Sequence, residues 1–124
     1  MDDVLGLEVE APDEQPARGG FDVTDSVRQP MGLVHGGAYA ALAESLASMA
    51  TMAAVRDEGK VVLGQSNHTS FLRPVSSGRV HAAATARHRG STTWIWEVEL
   101  TDDRGRLCAL SRVTLAVRPG EETR

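Results

Sequence analysis

The residues from Gln29 to Ser48 concentrate most of the groups in this chain that could do chemistry. His35-Gly36-Gly37 reads as a turn that opens an alanine-rich helix. That helix carries one carboxylate, Glu44, with no Lys or Arg before Arg56. The first N–H groups of a helix have no intrahelical acceptor and can hold a developing oxyanion. A carboxylate in apolar surroundings can serve as base or nucleophile. Ser48, one turn beyond Glu44, can hydrogen-bond that carboxylate or a water. Together with Gln29 in the preceding loop, these groups suit acyl transfer.

Spacing adds a constraint. Gly36 and Glu44 are eight residues apart, about 12 Å along a helix axis. A reacting carbonyl must lie roughly 3 Å from both its oxyanion donor and its attacker. One chain therefore does not supply both groups to one substrate. The expected arrangement sets Gly36 of one subunit against Glu44 of another, with two equivalent sites across a dimer axis.

The elements that must position these groups follow from periodicity and breakers. Val4–Glu10 and Gly20–Val23 read as two short strands around the Pro-containing segment 11–16. A helix is expected from about Gly37 to Glu58, ended by Gly59. On a helical wheel Leu42, Leu46, Met49, Ala50 and Ala53 share one arc, and Glu44, Ser48 and Thr51 the opposite one. Four strands follow: Val61–Leu72, Arg79–His88, Thr92–Thr101 and Leu107–Val117, with Asp102-Asp103-Arg104-Gly105 as a hairpin turn. Two strands, one long helix and a four-strand meander give an α+β fold in one domain, residues 1–124.

Composition excludes several classes. A net charge of -4 leaves no basic footprint for nucleic acid. Residues 38–55 come nearest to a membrane span, but Glu44, Ser45, Ser48 and Thr51 interrupt them. Met1-Asp2-Asp3 lacks a basic n-region, so no signal peptide is expected. The single Cys108 reads as a buried small hydrophobe and suits a reducing, cytoplasmic setting. His35, His68, His81 and His88 lack metal-site spacing, so no metal and no cofactor is expected. His35 is expected to shape the turn it begins.

Several segments together resemble one family. Gln29, Leu33-Val34-His35-Gly36-Gly37-Ala38-Tyr39, Ala41-Leu42-Ala43-Glu44, the run from Gly64 to Phe71, Arg73-Pro74-Val75, Gly90-Ser91-Thr92-Thr93-Trp94 and residues 105–109 are similar to the hotdog-fold acyl-CoA thioesterases. The likeness is to the 4-hydroxybenzoyl-CoA type with Glu as catalytic carboxylate. It implies a long helix wrapped by an antiparallel sheet. It also implies hydrolysis of an acyl-CoA thioester, with Glu44 as nucleophile or base. The Gly36 N–H and Gln29 would polarise the carbonyl, and Ser48 would stand near the hydrolytic water. Arg73, Ser91 and Thr92 match positions that contact CoA phosphates. CoA is then part of the substrate, and a homodimer, assembled further into a homotetramer, is the expected active form.

Two departures from that pattern stand out. Met49 occupies a position where the similar proteins carry an acid, which favours a less polar acyl group. The family's basic tail is replaced by residues 118–124, with Arg118 or Arg124 as substitutes for a phosphate contact. A hotdog dehydratase or hydratase, and a non-catalytic acyl-CoA-binding module, are the competing readings. The first needs a His-Phe-Pro-type loop that this chain lacks; the second has no use for Glu44.

Overall fold

A computed structural model describes residues 2–120. The chain begins with a short helix α1 (Asp2–Leu5), followed by strands β1 (Glu8–Ala11) and β2 (Ala17–Asp22). A 3-10 turn at Asp25–Val27 leads through the Gln29–His35 loop into the long helix α2 (Gly36–Val55), which a second 3-10 turn, Arg56–Glu58, extends. Four strands complete the order: β3 (Lys60–Phe71), β4 (Arg79–Arg89), β5 (Thr93–Thr101) and β6 (Leu107–Pro119). All neighbouring strands are antiparallel, in the order β1-β2-β4-β5-β6-β3. The sheet curls around α2, the architecture of the hotdog fold.

Local signals account for the ends of these elements. The His35 ring accepts a hydrogen bond from the Gly37 N–H and so caps α2. Gly59 ends the helical segment with φ at 66°, a left-handed conformation that glycine adopts without steric penalty. The Asp102–Gly105 turn joins β5 to β6 as expected: Asp102 Oδ1 accepts from the N–H groups of Arg104 and Arg106. At the opposite edge Arg79 on β4 pairs with Glu8, Glu10 and Asp22, tying down the short β1 and β2.

Three expectations need correction. Residues 4–10 do not form one strand, since the chain makes a helical turn before β1 starts at Glu8. The last four strands are not a simple meander. Only β4-β5-β6 is one, and β3 pairs with β6 at the free edge of the sheet. Strand pairing is non-local, and the 72–78 connection runs past the loop ahead of α2, where the Val34 N–H donates to the Val75 carbonyl and Arg28 to the Ser76 carbonyl, so local periodicity does not reveal it. The helical wheel also misplaces two side chains. Thr51 is fully buried, whereas Met49 is 46% exposed. The buried face of α2 is Ala38, Tyr39, Leu42, Ala43, Leu46, Ala47, Ala50, Thr51 and Val55. In so alanine-rich a helix the apolar stripe is poorly marked, and a specific bond decides instead. The Trp96 Nε1–H donates to Thr51 Oγ1 at 2.8 Å, and Thr51 Oγ1 donates to the Ala47 carbonyl at 2.8 Å.

By length and composition, Gly36–Glu58 alone among the described helices would reach across a membrane. Here it lies in the concave face of the sheet, with Leu42 and Leu46 packed in one core with Phe21, Trp96, Leu100 and Leu115.

Candidate active site

The loop ahead of α2 presents two donors. The Gln29 N–H donates to the Leu33 carbonyl at 2.8 Å, and the Gly32 N–H to the Gln29 carbonyl at 2.9 Å. The Gln29 side-chain Oε1 accepts from the Met31 N–H at 2.6 Å. This fixes the orientation of the amide and leaves its NH2 group without an acceptor in the described chain. His35 Nδ1 takes the Gly37 N–H at 2.9 Å, and the His35 carbonyl takes that of Ala38 at 3.0 Å. The Gly36 N–H has no acceptor among the described residues. Gln29, Gly36, Tyr39 and Arg73 line one depression of about 400 Å³. No described carboxylate pairs with Arg73.

Glu44 borders a second, larger depression of about 640 Å³, shared with Asp2, Gly37, Ala41, Asn67 and Phe71. Its carboxylate rests against Gly64 on β3. A Cβ at Gly64 would stand 2.7 Å from Glu44 Oε2, so only glycine leaves the carboxylate this place. A bulge between Gly64 and Ser66 makes the contact possible. It shifts the alternation of β3 so that Gly64 and Asn67 both face α2. Asp2 accepts a hydrogen bond from Ser45 Oγ at 2.9 Å beside this depression. Ser48 is half-buried one turn further along, with no hydrogen bond to Glu44. Met49 lines neither depression.

Phe71 borders both depressions. Its ring lies so close to Gly36 that a Cβ there would meet it at 2.8 Å. The structure thus brings Gln29 and Gly36 together and keeps Glu44 apart from them, as the helical spacing requires. The residues matched to CoA contacts are also split. Arg73 donates its N–H to the Cys108 carbonyl at the end of the sheet where β4 begins. Ser91 and Thr92 form the turn where β4 ends, eleven residues and about 35 Å away. Arg118 joins this second group, its Nη1 donating to the Thr92 carbonyl at 2.6 Å. Arg124 lies outside the described residues.

The remaining candidates sort simply. His81 pairs with Asp103 at 2.8 Å on the surface, and His68 and His88 are exposed. No group of three potential metal ligands occurs among the described residues. Burial pushes the Cys108 thiol up, away from thiolate chemistry. Burial, with Cys108 and Asp102 nearby, also pushes Tyr39 up to about 12. Sequence reasoning missed Gly64, Asn67 and Phe71 as individual contributors. A glycine within a strand pattern marks a bulge or a close approach, which is the signal Gly64 offered.

An antiparallel sheet wrapped on one long helix defines a protein of hotdog fold. Comparison with known proteins agrees. Residues 31–109 match the Thioesterase superfamily. Thioesterase PA1618 from Pseudomonas aeruginosa superposes with a TM-score of 0.90 at 39% identity, over 95% of this chain and 85% of that one. Thioesterase HI1161 from Haemophilus influenzae superposes at 0.89 with 36% identity, over 95% and 82%. The 1,4-dihydroxy-2-naphthoyl-CoA hydrolase of Listeria monocytogenes is 32% identical over 118 residues, 95% of each chain. The chain belongs to the thioesterase superfamily and is a thioester hydrolase of hotdog fold.

Proposed function

We propose that the protein hydrolyses an aromatic acyl-CoA thioester, of the 4-hydroxybenzoyl-CoA kind, to the free acid and CoA at a site shared by two subunits. The observation that carries this reading is the division of labour along α2. The open Gly36 N–H and the Gln29 amide lie in one depression, and Glu44 lies in another. β3 supports the pairing of two chains. It is a twelve-residue edge strand with exposed Val61, Leu63 and Phe71, the kind of free edge that recruits another strand. Antiparallel pairing of β3 with its copy, centred between Asn67 and His68, sets Gly64 of one subunit opposite Phe71 of the other. Gly64 holds Glu44 and Phe71 covers Gly36, so this register joins the two halves of the site. It also carries Arg73 of one subunit toward Ser91, Thr92 and Arg118 of the other, the groups matched to CoA phosphates.

The Gly36 N–H and the Gln29 NH2 donate to the thioester oxygen and stabilise the negative charge that develops there. Glu44 then attacks the carbonyl carbon, CoA leaves as thiolate, and water opens the resulting anhydride. In the alternative route Glu44 takes a proton from water, which attacks directly. Ser48, half-buried one turn from Glu44, is the hydroxyl available to hold that water. The aromatic preference is supported by Phe71 and the alanines around the larger depression, and by the likeness to a relative named for a naphthoyl-CoA substrate. Met49, exposed beside Ser48, offers no carboxylate to a ring hydroxyl, so discrimination between benzoyl and 4-hydroxybenzoyl esters should be weak.

Free-thiol release from a panel of acyl-CoA esters tests the reading. Aromatic esters should turn over fastest, and Glu44→Ala should lose on the order of a thousandfold in kcat while remaining folded. Near-normal turnover by Glu44→Ala would remove the catalytic assignment. Reversible hydration, or tight binding with no thiol released, would establish one of the competing activities.

A further inference from the structure

A small group of polar side chains, the partly buried Asn67 and Thr69 on β3 with the buried Ser111 on β6, has no part in the chemistry above, yet it meets the helix one turn ahead of Glu44. Asn67 Nδ2 donates to the Ala40 carbonyl at 2.9 Å. In an α-helix that carbonyl is also the acceptor for the N–H of residue 44. Asn67 Oδ1 in turn accepts from Thr69 Oγ1 at 2.7 Å and from Ser111 Oγ at 3.3 Å. The two hydroxyls lie 2.8 Å apart, directly across the β3–β6 ladder. The Ala40 carbonyl can only accept, so it holds the amide with its NH2 toward the helix, and the two hydroxyls then donate to Oδ1. The network therefore runs from β6 through β3 to the peptide that holds the backbone of Glu44.

β3 grips Glu44 a second time through Gly64, on the same face of the strand across the bulge. The amide tie sets where the helix sits over the strand, and the glycine sets how close the carboxylate can approach. We propose that Asn67 is a positioning residue for Glu44, held in orientation by Thr69 and Ser111. The proposal rests on Glu44 being the reacting carboxylate. Misplacement by about 1 Å lowers rates by about a hundredfold, so even a small slide of α2 over β3 matters. Asn67 also lines the larger depression, but its tie lies away from the Gly36 and Gln29 donors and from the matched CoA contacts, so its loss should act on kcat more than on KM.

The test uses Asn67→Leu, which removes the donor, and Asn67→Asp, which keeps the size and the acceptor. Both are assayed by thiol release beside wild type and Glu44→Ala, with thermal melts. Each Asn67 variant should lose at least about tenfold in kcat with KM within about twofold. In Asn67→Asp the acid limb of kcat/KM should also move to higher pH, by about one unit. A second carboxylate then stands about one helical turn from Glu44, in a depression whose only other ionisable group is Asp2. Thr69→Val, which removes the shorter of the two hydrogen bonds to Oδ1, should show the same kcat loss more weakly and serves if Asn67→Leu fails to fold. Normal kcat and an unmoved pH profile with a lowered melting temperature would overturn the proposal, leaving the tie purely structural. An active Glu44→Ala would instead remove the catalytic reading beneath it, so the two failures are distinguishable.

Discussion

Replacing Gly64 with alanine perturbs the candidate carboxylate without touching it chemically. The new Cβ would stand 2.7 Å from Glu44 Oε2 and 3.2 Å from its Cδ, so reaching an ordinary contact of about 3.4 Å requires a retreat of roughly 0.7 Å. What must move is the end of a flexible side chain, so folding is little affected. Removing a glycine also lowers the entropy of the unfolded chain, which offsets part of any strain. Catalysis is less tolerant: a displacement near 1 Å corresponds to about a hundredfold in rate. The expected loss is about thirty- to a hundredfold in kcat, or about 2–3 kcal/mol in the barrier. KM should change little, because Arg73, Ser91, Thr92 and Arg118 are untouched. The assay is thiol release under saturating acyl-CoA, paired with a thermal melt of the same sample. A folded Gly64→Ala protein with kcat within about threefold of wild type would refute the claim that the carboxylate works from this position.

Other consequences follow from single contacts. Thr51→Val strands the buried Trp96 N–H, which now donates to Thr51 Oγ1 at 2.8 Å; a loss of about 1–3 kcal/mol is expected in urea denaturation, and an unchanged midpoint would contradict it. The Tyr39 hydroxyl is buried without a partner, so Tyr39→Phe should leave the melting temperature unchanged or raise it by a few degrees, whereas a clear fall would reveal a partner for that hydroxyl. Asp102 is raised by burial but held below the usual carboxylate range by the Arg106 and Arg104 N–H groups and the Arg106 side chain. Its contribution is therefore complete above the ordinary carboxylate pKa and is lost as pH falls through the lowered value. Asp102→Asn should be less stable at neutral pH and show a shallower loss below pH 4 (melting temperature against pH reads both), and an acid limb identical to wild type would count against this assignment.

Much of this architecture is written in short-range signals, and the rest is not, for physical reasons. His35 at the start of α2, Gly59 at its end and the Asp102–Gly105 turn each act on their own neighbours, so residue type and spacing suffice to read them. The partner of β3 is β6, some forty residues further along the chain, a pairing that no local pattern encodes. The orientation of α2 is not legible from its pattern because alanines dilute the stripe, and the bond between Thr51 and Trp96 outweighs it. In the candidate site, Glu44 and the His35-Gly36-Gly37 turn stand out as a lone carboxylate and a helix start. Gly64, Asn67 and Phe71 acquire their roles only through the register of β3 and its bulge, which place them against α2.

In the shared site proposed above, Gln29 and Gly36 of one subunit serve the Glu44 of another. Subunit mixing tests it most directly. Gln29→Ala and Glu44→Ala proteins, each inactive alone, are exchanged into mixed dimers, with exchange verified by native mass spectrometry. Each mixed dimer holds one site with both residues intact, and random pairing makes half of the dimers mixed. Thiol release should therefore recover to about a quarter of the wild-type level. Verified mixed dimers with no more activity than either parent would contradict the shared site.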